Sequence, residues 1–325
     1  MPRAVVADEF GPPESFALRE IAPRALGPHE LRVAVKAAGI SFVDVLTAAG
    51  QYQVKPPLPF VPGSEAAGVV TEAGPRVTAF APGDAILFSA WGGMFAEEAI
   101  VAEGAAQPIP AGMDFAEAAV FPVSYATAWH ALVDRARLAP GETLLVLGAG
   151  GATGVAAVQI GKHLGARVIG SASSEAKRTI AGEAGADAMV DARGPEWRDA
   201  VKAANGGKPV DVVFDPVGGE ATDPAFRALG WGGRHLVIGF PGGIAALRTN
   251  LPLLKGASLV GVDIRQFGER EPERARANRE AIFALGAKSV LRPIIAKRYR
   301  LEDYAAAMSD AASGSSAGRI VLDIA

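Results

Sequence analysis

The 325-residue sequence contains no cysteine, and that absence excludes disulfides, thiolate-bound zinc, iron–sulfur clusters and cysteine nucleophiles together. Histidine is scarce: His29, His130, His163 and His235 are the only four, scattered through unrelated stretches rather than spaced as metal ligands. Each reads as an ordinary surface or packing residue. Neither sign of charge is in excess, because the formal net charge is −3, and this offers no broad basic surface to nucleic acid. The opening residues, Met1-Pro2-Arg3 followed by Ala4 to Ala7 and the acidic pair Asp8-Glu9, lack the long apolar stretch of a secretory signal, so the expectation is a cytoplasmic protein. No internal repeat or low-complexity tract interrupts the chain. Thr143 to Gly161 runs nineteen positions without a charge, about the length that crosses a bilayer. Five of those positions are glycine, and the run resolves into a Leu/Val stretch, a glycine turn and an Ala/Val/Ile stretch at helical spacing. It reads as a buried strand, turn and helix, not as a membrane span.

What is present is an ordinary soluble composition, half apolar and about a fifth charged, with 39 glycines. A chain of this length buries two cores rather than one. The first hundred or so residues read as short strands at Leu31 to Lys36, Ala67 to Glu72, Ala85 to Phe88 and Phe95 to Val101, with Pro and Gly between them, which suggests a mostly antiparallel, barrel-like domain. From Asp114 the texture changes to an Ala-rich helical segment interrupted near Pro122. After Thr143, strands and helices alternate regularly as far as the strand Leu259 to Asp263, the pattern of a doubly wound parallel sheet. A further helix follows from Pro272, and a last strand, Ile320 to Ile324, returns to the first domain. The expected organisation is α/β: residues 1–120 with 264–325 in one domain and residues 121–263 in an inserted nucleotide-binding domain.

The turn Gly148-Ala149-Gly150-Gly151-Ala152-Thr153-Gly154 follows a buried strand and opens a helix, the context of a dinucleotide fingerprint. Glycines let the backbone turn sharply and approach a pyrophosphate, and the N–H groups and positive dipole at the helix start favour its charge. The adenosine ribose is normally read by a carboxylate at the end of the second strand. Here the strand from Arg167 runs instead into Ser171-Ala172-Ser173-Ser174, with Lys177 and Arg178 one turn on. Hydroxyl donors beside cations suit the 2′-phosphate of NADP(H). The alternative is that Ser173 or Ser174 caps the helix while the cations face solvent.

Several segments resemble the zinc-independent quinone oxidoreductase branch of the medium-chain dehydrogenase/reductase superfamily: Ala38-Gly39-Ile40-Ser41-Phe42-Val43-Asp44, Gly50-Gln51-Tyr52, and Pro59 to Val70 with Gly63-Ser64-Glu65 at its centre. Ala81-Pro82-Gly83-Asp84, Thr127-Ala128-Trp129 and Gly318 to Leu322 resemble its later landmarks. The resemblance covers nearly the whole chain and implies a GroES-like barrel domain beside a Rossmann domain. Zinc-dependent relatives place a cysteine and a histidine where this chain has Ile40 or Ser41 and Ser64, so no metal is expected. Without that Lewis acid, hydride addition to an activated double bond is better supported than alcohol oxidation. The resemblance marks Tyr52 as a donor to the developing oxyanion, with Ser41 where relatives carry asparagine. It leaves Asp44 open between structural and catalytic roles. It marks Thr127, Gly239 and Phe240 as lying near the nicotinamide. The phosphate turn departs from the family's usual wording, and Ala192 with Arg193 replaces a tyrosine that often ends the third strand. Phe42, Tyr52, Trp91, Phe240 and Phe267 can line an acceptor site, and Arg265 can meet an anionic acceptor.

The expected activity is NADPH-dependent reduction of a quinone or α,β-unsaturated carbonyl compound. A 2-enoyl-thioester reductase would use the same tyrosine, and a protein binding NADPH without turnover is the reading from another class. The resemblance also implies a homodimer through the edge strand that begins at Leu259.

Overall fold

The strand Glu30–Ile40 organises the first half of the protein. Its residues alternate between buried and half-buried before the run Ala38 to Ile40 turns wholly inward, the period expected of a strand with one solvated face. It pairs antiparallel with Glu65–Ala73, Glu98–Ala102 and Arg319–Asp323. The computed structural model describes residues 1–325, and they divide into one unit of Met1–Val123 with Pro293–Ala325 and a second of Ser124–Arg292.

In the first unit the main sheet runs in the order Ile295–Arg300, Arg319–Asp323, Glu30–Ile40, Glu65–Ala73, Ala85–Ser89, Ala106–Pro108. Only the pair Ile295–Arg300 and Arg319–Asp323 is parallel. Leu31, Val33 and Val35 meet Val70, Ile86, Phe88 and Phe95 in its core. The helix Tyr304–Ser313 adds Tyr304, Ala307 and Met308 to that core, and the Tyr304 hydroxyl donates to the Phe16 carbonyl at 2.6 Å.

In the second unit six strands lie in the order Ala188–Asp191, Arg167–Ala172, Thr143–Leu147, Val210–Asp215, Leu229–Val237, Ser258–Gly261, every neighbouring pair parallel. The chain winds outward in one direction through its first three strands and in the other through the last three. That reversal falls between Thr143–Leu147 and Val210–Asp215, and nucleotides bind beyond the carboxyl ends of strands at such a point. The uncharged segment from Thr143 is the central buried strand and its helix Ala152–His163. No helix of the protein is long and apolar enough to cross a membrane.

The second domain boundary falls at Arg292/Pro293, not before residue 264. Helices Ile264–Arg270 and Pro272–Ala287 stay with the parallel sheet's unit because Phe267 stacks on His130 with ring centroids 3.8 Å apart, and Asn278 and Arg274 both bond Asp134, each at 2.7 Å. The amphipathic pattern of the second helix shows that it covers a core without showing which one. His130 itself opens a π-helical turn, His130–Arg135, after the helix Pro122–Trp129, a feature that leaves no sequence signature.

Candidate active site

The glycine turn forms one half of the site. Gly148 has φ +56°, which the turn out of Thr143–Leu147 requires. A Cβ on Gly154 would collide with the Gly148 carbonyl oxygen, so this glycine lets the helix close onto the turn. Gly150 proves to have a packing role: a Cβ there would strike the Lys177 carbonyl oxygen, so its missing side chain admits the start of the next helix, Glu175–Glu183. No side chain caps Ala152–His163 at Gly151. The Gly151 N–H closes the turn by donating to the Gly148 carbonyl at 2.9 Å, and the N–H groups of the helix's first turn, from Ala152 and Thr153 on, are the ones that can meet an anion.

At the end of Arg167–Ala172, Ser173 is exposed. Ser174 is the N-cap, its oxygen accepting the Lys177 N–H at 3.3 Å, so the capping alternative holds for Ser174. Partial burial pushes the Lys177 ammonium below its ordinary pKa. Arg178 does not face solvent: it donates to the Ala172 carbonyl at 3.2 Å and pairs with Asp191 at 3.1 Å. Asp191, at the end of the neighbouring strand, also takes Arg193 at 3.3 Å, and the Arg193 and Arg178 guanidiniums hold its carboxyl below the usual range.

Sequence reasoning missed a buried carboxylate that shapes the other rim. Asp215 ends the fourth strand of the parallel sheet. Its Oδ1 accepts the N–H groups of Val217 and Gly218 at 2.9 and 2.8 Å, and its Oδ2 accepts the Thr222 hydroxyl at 2.8 Å and meets His235 Nε2 at 2.9 Å. Burial works to raise its pKa, yet His235 and the Gly218 N–H together hold it below the ordinary value. The loop so fixed binds the next one: Gly219 N–H donates to the Gly243 carbonyl at 2.7 Å and Gly242 N–H to the Val217 carbonyl at 2.8 Å. Gly239 and Phe240 lie in that second loop, Phe240 with half its surface exposed. Asp215-Pro216-x-Gly218-Gly219 was the available signal. His235, wholly buried and stacked on Phe226, is thus a carboxylate partner. Thr127 is buried in the helix Pro122–Trp129.

In the first unit Tyr52 follows the helix Phe42–Ala48, its N–H donating to the Leu46 carbonyl at 3.2 Å. Its half-exposed ring stands beside Trp91, centroids 6.1 Å apart. Ser41 is placed differently from the expected oxyanion donor. It caps the same helix, its hydroxyl donates to Asp44 Oδ2 at 2.7 Å, and its N–H reaches that oxygen at 2.7 Å. The Ser64 side chain also bonds Asp44. Glu65 accepts the Val123 N–H at 3.3 Å and pairs with Arg319. Asp44, Glu65 and Arg319 are all buried, and burial pushes both carboxyls up against the pull of the one guanidinium. This cluster does not fit zinc. Two serine hydroxyls directed at a carboxylate and a glutamate bound to arginine supply neither thiolate nor imidazole.

Of the remaining candidates, Phe267 is buried against His130, and Arg265 is engaged by Glu269 at 3.0 Å. The proposed contact of Arg265 with an anionic acceptor loses its free cation.

Residues 152–282 match the family described as zinc-binding dehydrogenase, and residues 27–111 match the alcohol dehydrogenase GroES-like domain. Quinone oxidoreductase-like protein 2 of Rattus norvegicus is 37% identical over 99% of this chain and 92% of its own length. Among solved structures, an NAD-dependent alcohol dehydrogenase superposes with a TM-score of 0.91 at 29% identity, covering 99% of this chain and all of the other. A mycobacterial protein complexed with NADPH superposes with a TM-score of 0.90 at 26% identity and the same coverage.

Proposed function

The chain belongs to the quinone oxidoreductase branch of the medium-chain dehydrogenase/reductase superfamily and is an oxidoreductase with a nicotinamide cofactor; from that premise we propose that it passes hydride from NADPH to a quinone or an α,β-unsaturated carbonyl compound without zinc. The observation that carries this reading is the engagement of Ser41 and Ser64 with Asp44. With both hydroxyls so directed and no thiolate or imidazole beside them, the places that hold zinc ligands in metal-dependent relatives offer nothing to polarise an alcohol. Substrates whose own conjugation accepts hydride fit this chemistry.

NADPH supplies the hydride when bound, and one proton completes the reduction of each acceptor. We assign the proton or hydrogen-bond donation to the Tyr52 phenol, which meets the oxygen as negative charge develops on it. The N–H groups at the start of Ala152–His163 hold the pyrophosphate. Ser173 and Lys177 receive the 2′-phosphate, the basis for preferring NADPH, and Thr127, Gly239 and Phe240 serve the nicotinamide end. The edge strand Ser258–Gly261, with Leu259 half exposed, supports a homodimer built by edge pairing. Sedimentation showing only monomer at micromolar concentration would refute that arrangement.

The test follows NADPH absorbance with 1,2- and 1,4-quinones, enones, 2-alkenals and enoyl-CoA esters, in chelator-dialysed enzyme, with NADH in parallel. Rapid oxidation by quinones or enones, reduced about 100-fold or more in Tyr52→Phe, is expected. Preference for enoyl-CoA esters would move the assignment to enoyl-thioester reduction, and activity that disappears with the chelator would overturn the zinc-free chemistry.

A further inference from the structure

The second unit carries a groove of about 450 Å³ that none of the cofactor-binding residues lines. Lys208-Pro209 and Leu229, in its wall, immediately precede or begin the strands Val210–Asp215 and Leu229–Val237. The groove therefore opens at the amino ends of the parallel strands, whereas the glycine turn and the Asp215 loop follow their carboxyl ends. Its volume falls within the roughly 300–1,000 Å³ of small-molecule sites.

Its chemistry is distinctive. Five cations line it, Arg198, Lys202, Lys208, Arg227 and Lys255, against a single carboxylate, Asp199. Arg227 pairs with Asp223, and Lys255 donates to the Leu229 carbonyl at 2.5 Å. No ion pair engages Arg198, Lys202 or Lys208. Burial, followed by the charges of Arg198 and Arg227, holds the Lys255 ammonium below its ordinary pKa, so these cations act on one another without full neutralisation. Part of the pattern has an ordinary cause. Lys202, Arg227 and Lys255 stand in the last turns of Trp197–Ala204, Thr222–Ala228 and Asn250–Lys255, where each meets about half a negative charge from the helix dipole. Those three partial charges and two carboxylates fall short of five cations, and Arg198 and Lys208 lie outside the last turns.

The aromatic wall is equally unusual. Trp231 is 83% exposed and is set close over Gly256, whose φ of +55° and missing Cβ make room for the indole. The exposed indole thus stands in the same groove as cations that no ion pair engages. The edge strand Ser258–Gly261 contributes no residue to the groove.

We propose that this groove is a second, non-catalytic site for a nucleoside polyphosphate, with phosphates held among Arg198, Lys202 and Lys208 and the base stacked on Trp231. Guanidinium and ammonium groups bind phosphate oxygens through charge-assisted hydrogen bonds, and an exposed indole stacks on a planar base. The near-neutral total charge conceals this local excess, which is why composition alone gave no hint of it.

The test is calorimetric titration of the full chain, saturated with NADP+ so that the cofactor cradle is filled, with ATP, inorganic tripolyphosphate and a single-stranded RNA oligonucleotide. ATP binding that weakens about tenfold or more in Lys202→Glu/Lys208→Glu is expected. Trp231→Ala should weaken ATP but leave tripolyphosphate unchanged, and NADPH oxidation should stay at the wild-type rate in both variants. The proposal is overturned if ATP gives no heat at millimolar concentration, if the variants bind ATP as the wild type does, or if RNA binds and ATP does not.

Discussion

The Ser41 hydroxyl donates its proton to Asp44 Oδ2 at 2.7 Å, and this one bond separates two residues expected to act together. A hydroxyl has a single proton. With it turned inward, Ser41 holds the helix Phe42–Ala48 in place, and in the proposed reaction the donor toward substrate is then Tyr52 alone. Ser41→Ala should lower stability by about 0.5–2 kcal/mol through loss of the cap while changing kcat far less than Tyr52→Phe. Steady-state kinetics and thermal melting of the two variants decide this. A Ser41→Ala enzyme that melts normally yet loses as much kcat as Tyr52→Phe would return the serine to the reaction.

Glu65 and Arg319 form the buried ion pair that joins the last strand to Glu65–Ala73. Removing one partner leaves the other charge buried without its counter-ion, which costs about 3–5 kcal/mol. Arg319→Ala should be strongly destabilised, whereas Glu65→Gln/Arg319→Met, which removes both charges, should recover much of the loss. Denaturant unfolding of the single and double variants provides the measurement. A double variant no more stable than Arg319→Ala would show that shape, not charge, is what Arg319 supplies.

The parallel sheet was legible because its signal is local: its buried runs are followed within a few residues by a turn of small residues and a helical period, as at Thr143–Leu147 with its glycines and at Arg167–Ala172 with its serines. The antiparallel sheet was legible only in outline, since the strand Ile295–Arg300 alternates weakly and finds its partner in Arg319–Asp323 through tertiary packing. The glycine turn after Thr143–Leu147 is legible as a turn, but spacing cannot reveal that Gly150 admits Lys177's backbone. The polar networks were the least legible part. His235 lies 20 positions from Asp215, and Arg178 meets Asp191 only because two strands lie side by side. A residue type shows what a side chain can bond, whereas its partner is decided by topology.

Asp215 sets a pH limit on the loop beside it. A carboxyl held below its ordinary value in the folded protein contributes stability that is complete above the unfolded value, about 3.9, and lost as pH falls through the folded value. Asp215→Asn should be less stable than wild type by about 1–3 kcal/mol at neutral pH, and the gap should close below about pH 4. Melting temperatures of both proteins measured from neutral to acid pH test this, together with an increased KM for NADPH in the variant. A gap independent of pH would assign the effect to lost shape, not to the carboxylate's charge.

The proposed preference for NADPH rests on Ser173 and Lys177, and their surroundings decide what each substitution should do. Arg178 and Arg193 are both engaged by the one carboxylate of Asp191, so they contribute a net positive charge to this corner but neither guanidinium is free of a partner. Lys177 is partly desolvated, which holds its ammonium below its ordinary pKa, and a bound phosphate restores what burial has removed. Lys177→Ala should therefore raise KM for NADPH by about tenfold, the effect of losing one charge-assisted contact, and leave KM for NADH nearly unchanged. Ser173→Asp should go further, because a carboxylate at the end of Arg167–Ala172 repels the 2′-phosphate and accepts the ribose hydroxyls of NADH. The ratio of kcat/KM for the two cofactors, measured in both variants, is the readout. Equal losses for NADPH and NADH would mean that these residues support the pyrophosphate or the fold, and the 2′-phosphate would then have to be read elsewhere.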